Sequence, residues 1–307
     1  MNLLTGATGF VGGHVVEYLF RQNEISKAVF RPGSHLKILD LNGVQCVEAD
    51  LLDHHSLHEA VEGTDTIYSM ASPMPGADED FQRVNTAGTS NLLEAARESG
   101  VKTIVHLSTL DVYGFGAGTV DSQSALKPEG QYQSSKAAAE EMLLEFARNN
   151  PGSRVVIIRA ARAVGSRDHT LAVPLIRMII AGRVVLPKGG EMSFSHPSDI
   201  AQAMYKAATN PNLPGGVYLV KSFDSSAEVL SAALAGSLGK PVKVSRAGVF
   251  SRSDLPPYTA GQVGASLRVA PQVSWKAMGY SPEFDLSRAC DEIAGWYKKE
   301  PWVAEQD

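Results

Sequence analysis

The first half of the chain alternates short apolar runs with stretches whose apolar residues recur every three or four positions. Met1–Leu4 is a run of the first kind, and it leads through a glycine-rich turn into an amphipathic segment from about Val11 to Arg21. Further runs at Lys27–Phe30, Gly43–Val47, Thr66–Met70, Thr103–Leu107 and Val155–Ile158 predict five more strands. Between them, Ser56–Val61, Asn85–Ser99 and Tyr132–Arg148 carry helical spacing, with Leu92, Leu93 and Ala96 on one stripe. Strand–helix units of this length imply a parallel sheet with helices on both faces.

After Arg159 the rhythm changes. A helix over Leu171–Ala181 is followed by short strand-like pieces at Val184–Leu186 and Met192–Ser195. A helix opens near Pro197, with Ser198 or Asp199 at its cap. Gly216–Val220 reads as a strand, and Ser226–Ser237 and Leu286–Lys298 read as amphipathic helices. The expected fold is α/β: a Rossmann-type doubly wound parallel sheet with a smaller α+β substrate-binding lobe. The sheet domain takes residues 1–160 and about 195–222; the lobe takes about 161–194 and 223–307.

Composition narrows the functional classes. At 307 residues and 44% hydrophobic, the chain can fill one large core or two lobes. A net charge of −5, with Lys298-Lys299 the densest basic stretch, speaks against nucleic acid as the main partner. The longest apolar stretch, Leu171–Ala181, is broken by Pro174 and Arg177 and is too short for a bilayer, so no membrane is expected. The first residues read as a strand rather than a signal peptide. Cys46 and Cys290 lie far apart in apolar surroundings and are expected to be inert thiols in a reducing cytoplasm. No clustered ligands with metal spacing occur, so no metal is expected.

The candidate chemistry starts at Gly6-Ala7-Thr8-Gly9-Phe10-Val11-Gly12, between the first strand and the first helix. Gly6 permits a tight turn, Gly9 lets backbone approach a pyrophosphate, and Gly12 lets the helix pack close to the sheet. The helix N-terminus then offers N–H groups and a positive dipole end to phosphates. At the end of the second strand, an acidic residue would grip ribose hydroxyls and favour NAD. This chain has Arg31 there, whose guanidinium can fork onto a phosphate, with the Ser34 hydroxyl as a further donor. NADP(H) is therefore favoured, with NAD(H) the alternative; the bland reading leaves Arg31 stacked on adenine or facing solvent.

Tyr132 and Lys136 stand four apart at a helix start and share one face. A free tyrosine titrates near ~10, so proton exchange near neutrality requires a fall of ~2–4 units. A nearby ammonium at low dielectric supplies an effect of that size, which casts Lys136 as the group that tunes Tyr132 for general acid/base work. Upstream, the strand His106-Leu107-Ser108-Thr109 ends in hydroxyls at the ligand crevice of the sheet. Thr109 is the candidate donor to the reacting oxygen, and Ser108 its backup. The bland reading makes the two hydroxyls turn caps.

Together these residues resemble the extended short-chain dehydrogenase/reductase family over nearly the whole chain. The resemblance is carried, in order, by the glycine turn, Ala49-Asp50-Leu51, Asn85-Thr86-Ala87-Gly88-Thr89, Leu107-Ser108-Thr109 with Val112-Tyr113-Gly114, Tyr132-x-x-x-Lys136, and His196-Pro197-Ser198-Asp199. It implies that Tyr132 is the acid/base, that Lys136 holds the nicotinamide ribose, and that Thr109 takes the catalytic Ser/Thr position. It further implies that Thr8, Phe10 and Val11 belong to the phosphate turn, that Asp50 and Leu51 contact adenine, and that Met70, Ala71 and Ser72 line the cofactor groove. Asn85 would support the active site, and Asp199 would anchor a helix start. Family members pair as homodimers through helices matching Phe81–Ser99 and Tyr132–Arg148, although those faces can equally pack on their own sheet.

Departures bear on the substrate. Where relatives show Arg-Pro and then Tyr-Gly-Pro, this chain reads Arg159-Ala160-Ala161-Arg162-Ala163-Val164-Gly165. Arg162 is an unusual charge there; it either meets an anionic substrate or pairs with Asp168. Arg31-Pro32-Gly33-Ser34 is similar to the dihydroflavonol-reductase branch, and Ala71-Ser72-Pro73 to the 3β-hydroxysteroid-dehydrogenase branch. The pocket for the small-molecule substrate is expected between 163–192 and 250–269. Three readings follow: reversible carbonyl/alcohol redox, a nucleotide-sugar epimerase or dehydratase that keeps its NAD, and a non-catalytic dinucleotide-binding protein.

Overall fold

The computed structural model describes residues 1–73, 80–246, 253–270 and 275–300, the side chains of 275 and 276 excepted. Seven strands form one parallel sheet: β1 (Asn2–Thr5), β2 (Ser26–Phe30), β3 (Gln45–Glu48), β4 (Thr66–Ser69), β5 (Thr103–Thr109), β6 (Arg154–Ala160) and β7 (Gly216–Val220). Their spatial order is β3-β2-β1-β4-β5-β6-β7, so the chain reverses direction across the sheet between β1 and β4. Ligands of doubly wound sheets bind at that reversal, beyond the strand C-termini.

The strands are apolar on both faces because both are covered. Leu4, Tyr68, Val105, Val156 and Ile158 pack on the helices Phe10–Arg21 and Pro197–Thr209. Leu3, Ile67, Ile104, Val155 and Ile157 pack on the opposite layer, which holds His54–Val61, Gly88–Glu98 and Gln131–Asn149. The apolar stripe Leu92, Leu93 and Ala96, with Leu143 and Phe146, is buried in this second layer, against the chain's own sheet.

Two strands run further than apolar pattern predicts. β5 continues through Ser108 and Thr109, and β6 through Arg159 and Ala160, with Ser108 in register with Arg159. Polar residues are tolerated there because their side chains find buried partners, described below. The helix predicted over Asn85–Ser99 opens instead as a π-helical turn, Arg83–Ala87, before becoming α-helical at Gly88. Such wide turns recur at functional sites. The cap of Pro197–Thr209 is His196, whose Nδ1 accepts from the Ser198 N–H at 3.2 Å, rather than Ser198 or Asp199. Asp199 is buried and accepts from the backbone N–H of Glu283 and Phe284, which ties this helix to the segment before the last helix, Leu286–Lys299.

The remainder is a lobe of short strands and helices. Glu191–Ser195 pairs with Phe223–Ser226 and Arg162–Ala163, and Arg183–Leu186 pairs with Lys243–Arg246. Its own core gathers Leu175, Ile176, Leu186, Phe194, Leu230 and Ile293. A short helix, Pro257–Gly264, lies in the predicted pocket region; positions 250–252 of that region fall outside the described residues. Both cysteines are free thiols, and burial pushes Cys290 up to about 12. Among the described residues, no helix is long and apolar enough to cross a membrane.

Candidate active site

A cavity of about 650 Å³ lies over the C-terminal ends of the strands, in the size range of small-molecule and cofactor sites. Its wall at β1 is the glycine turn. Gly6 has φ +72°, and a Cβ there would stand 2.6 Å from the Ala71 nitrogen. A Cβ on Gly12 would stand 2.0 Å from the Gly6 carbonyl oxygen, so only glycine lets the helix Phe10–Arg21 sit this close to the turn. Gly9 caps that helix without a side-chain hydrogen bond. Thr8, Gly9, Phe10 and Val11 line the cavity with Gly6 and Gly12.

The other predicted residues fall around the same space. Arg31 and Ser34 line it beyond β2, Asp50 and Leu51 beyond β3, and Met70, Ala71 and Ser72 beyond β4. Thr5 fastens the last group: its hydroxyl accepts from the Met70 N–H at 3.1 Å and the Ala71 N–H at 3.3 Å. Ser108, Thr109, Tyr132 and Lys136 form the far wall. Asn85 lies behind that wall rather than on it. Its amide donates to Ser135 Oγ at 3.0 Å, and Ser135 in turn donates to the Tyr132 carbonyl oxygen at 2.8 Å.

Tyr132 is wedged between rings, edge-on to Phe81 and to Tyr258 at centroid distances of 5.5 Å each. Burial raises its pKa above the ordinary tyrosine value, Asp111 adds to the rise, and the Arg162 guanidinium opposes it. Arg162 is thus a cation that opposes the rise, one that the spacing of Tyr132 and Lys136 does not announce. Lys136 is turned toward β5. Its Nζ donates to the Leu107 carbonyl oxygen at 2.7 Å and lies 3.1 Å from His106 Nε2. Burial lowers Lys136 to about 8, with the Glu140 carboxylate opposing.

Thr109 lines the cavity; its hydroxyl accepts from the Asp111 N–H at 3.1 Å and also interacts with the Asp111 carboxyl, lowering the pKa of that carboxyl. The Ser108 hydroxyl is committed elsewhere: it donates to Glu140. Glu140 also receives Arg159, through Nε at 3.0 Å and Nη2 at 2.6 Å, and Arg159 Nη1 donates to the Tyr113 hydroxyl at 2.5 Å. This buried network explains how β5 and β6 carry polar residues to their ends.

Sequence pattern does not reveal the end of the cavity built around Asp111, Arg162 and Tyr258. Asp111 sits there buried, and its Oδ2 accepts from Tyr258 Oη and Gln262 Nε2, each at 2.7 Å. Burial pushes Asp111 above the usual carboxylate range, while Tyr258 and Gln262 hold it down. Arg162 donates through Nη2 to Thr170 Oγ1 at 2.6 Å and lies 3.4 Å from both Asp168 oxygens. The pairing with Asp168 is thus made, and Arg162 still lines the cavity. Asp168 also caps the next helical segment, accepting from the N–H groups of Thr170 and Leu171.

Residues 2–220 match the NAD dependent epimerase/dehydratase family. Sterol demethylase protein B of Methylococcus capsulatus is 32% identical over 192 residues, which is 60% of this chain and 56% of that protein. A Stigmatella aurantiaca protein described as 4-hydroxy-2-methyl-3-oxo-4-farnesyl-3,4-dihydroquinoline-1-oxide ketoreductase is 28% identical over 69% of this chain and 65% of its own. The chain thus spans between about half and two thirds of these two relatives. In shape it is similar to the UDP-Glc/GlcNAc 4-epimerase of Campylobacter jejuni, with a TM-score of 0.81 over 97% of this chain and 99% of that one, at 21% identity.

Proposed function

The chain belongs to the NAD dependent epimerase/dehydratase family, and from that premise we propose that it is a carbonyl reductase, working reversibly on a small alcohol or ketone with a nicotinamide dinucleotide. The observation that carries this reading is the shared wall: Tyr132 and Thr109 face one cavity with the glycine turn. The residues fit the cofactor, because the close backbone packing that Gly6 and Gly12 permit brings the N-terminus of the helix Phe10–Arg21, with no side-chain cap, to the wall of the cavity. The glycine turn would hold the pyrophosphate, Asp50 and Leu51 the adenine, and Lys136 the nicotinamide ribose. Arg31 and Ser34 would receive a 2′-phosphate, which favours NADP(H) over NAD(H).

Bound there, the nicotinamide supplies the hydride for the carbonyl carbon. Tyr132 gives its proton to the carbonyl oxygen, and Thr109 donates a hydrogen bond to that oxygen as charge develops. Burial raises the Tyr132 pKa, opposite to the fall expected for proton exchange near neutrality, so the phenol is protonated at neutral pH and its pKa does not favour one direction over the other. Similarity to a protein named as a ketoreductase supports the same reaction.

The test is to denature the purified protein, identify any released nicotinamide by mass, and titrate the apo protein with NADPH and NADH. The expected result is an exchangeable site that prefers NADPH, with the preference lost in Arg31→Asp. Retained NAD with weak NADPH binding would overturn this reading in favour of a nucleotide-sugar epimerase.

A further inference from the structure

The strongest feature outside the assigned chemistry is a file of buried polar groups beneath the cavity wall. Ser69 on β4 and His106 on β5 are in register, so their side chains leave the same face of the sheet. Ser69 Oγ lies 3.1 Å from His106 Nδ1, and Lys136 Nζ lies 3.1 Å from His106 Nε2. His106 and Lys136 are 2% and 3% exposed.

An ammonium has only donors, so Nε2 must accept from it. The imidazole is then neutral with its proton on Nδ1, which donates to Ser69 Oγ. Burial and the neighbouring ammonium both hold His106 well below its ordinary pKa, which agrees with that form. The other groups facing the file are Glu140, one turn beyond Lys136 on the same helix, and Arg159 on β6, which Glu140 neutralises. Leu107 supplies the second acceptor for the ammonium through its carbonyl oxygen. Of the three N–H bonds of Lys136, one remains for the cavity.

We propose that His106 is a positioning residue: as a fixed neutral acceptor, braced by Ser69, it keeps the Lys136 ammonium charged and aims its remaining N–H into the cavity. A leucine at 106 would leave a buried ammonium N–H with no acceptor, which favours the neutral amine. A glutamine would keep an oxygen within reach of Nζ while losing the ring. The role rests on the reading of Lys136 as the ribose-holding residue, and it is separable from it by experiment.

The measurements are the pH profile of kcat in the reductive direction for wild type, His106→Leu and His106→Gln, with thermal melts for each, and ¹⁵N-histidine NMR of the wild type and Lys136→Met. The alkaline limb should move down by about one pH unit in His106→Leu, the size expected from losing one hydrogen bond to a charged group. His106→Gln should return it toward the wild-type position. The wild-type His106 ring should show a protonated Nδ1 and an Nε2 resonance that moves in Lys136→Met. An unmoved limb in a folded His106→Leu protein, or a ring protonated on Nε2, would overturn the proposal. The ribose-holding reading fails by a different result: unchanged cofactor affinity in Lys136→Met.

Discussion

At the scale of single residues, the phenol of Tyr132 and the carboxylate of Asp111 set the chemistry of the far wall. Burial raises the pKa of both groups, and Arg162 pulls both down. Tyr132→Phe keeps the ring contacts with Phe81 and Tyr258 and removes only the transferable proton. Turnover should fall by about 10²–10⁴ with an unchanged melting temperature, as steady-state assay and thermal melt would show. Arg162→Gln removes the cation that favours phenolate, so Tyr132 should hold its proton to higher pH. In the alcohol-oxidising direction the rising limb of the pH–rate profile should therefore move to higher pH. Tyr132, Lys136 and Thr109 were legible in the sequence because four-residue spacing and strand-end position are local signals. Asp111, Tyr258 and Gln262 were not, because they meet across separations of 147 and 151 residues that no short pattern spans.

At the scale of elements, the helix Gln131–Asn149 is fastened to the sheet by two rungs one turn apart, His106 to Lys136 and Ser108 to Glu140. The second rung continues to Arg159, with side chains only 6% and 2% exposed in the ion pair. Removing one partner of such a pair leaves an uncompensated buried charge. Glu140→Ala should cost about 3–5 kcal/mol of stability by chemical denaturation. The glycine turn is equally intolerant at Gly12, where an alanine Cβ would meet the Gly6 carbonyl oxygen. Gly12→Ala should abolish cofactor binding in a titration, through displacement of the helix start. The parallel strands and longer helices of the first half were readable from apolar periodicity, whereas the short helix Lys37–Leu41 and the turn Leu110–Tyr113 were not. The polar ends of β5 and β6 and the π-helical turn at Arg83–Ala87 were not, since tertiary partners decide them.

At the scale of the whole molecule, sheet domain and lobe meet over a second buried cluster. His14 on the first helix lies 3.3 Å from the Ser166 carbonyl oxygen, edge-on to His196, and Glu292 of the last helix accepts from the Ser166 N–H. Burial first, and Arg167 next, lower His14 to about 3, while Glu292 opposes. The unfolded chain binds a proton at this histidine near pH ~6.5 and the folded chain does not. Stability from this group is therefore intact above ~6.5 and declines as pH falls toward 3. Between pH 7.5 and pH 5 the loss from this group should approach about 2 kcal/mol, read as a lower urea midpoint, and His14→Gln should remove that part of the slope while the part due to the likewise depressed His106 stays. The alternation of strand and helix announced the parallel sheet. The lobe was legible only as a change of rhythm, because its short strands draw their order from contacts with distant segments.

The position of β7 has a consequence for the protein while it is being made. β6 pairs with β5 on one side and with β7 on the other, yet β7 is separated from it in the chain by residues 161–215, which hold the first part of the lobe and the helix Pro197–Thr209. Until residue 220 has left the ribosome, Val156–Ala160 presents an unpaired apolar edge to whatever is nearby. A chaperone or a neighbouring nascent chain would find it there, and a premature stop in the lobe would leave it open permanently.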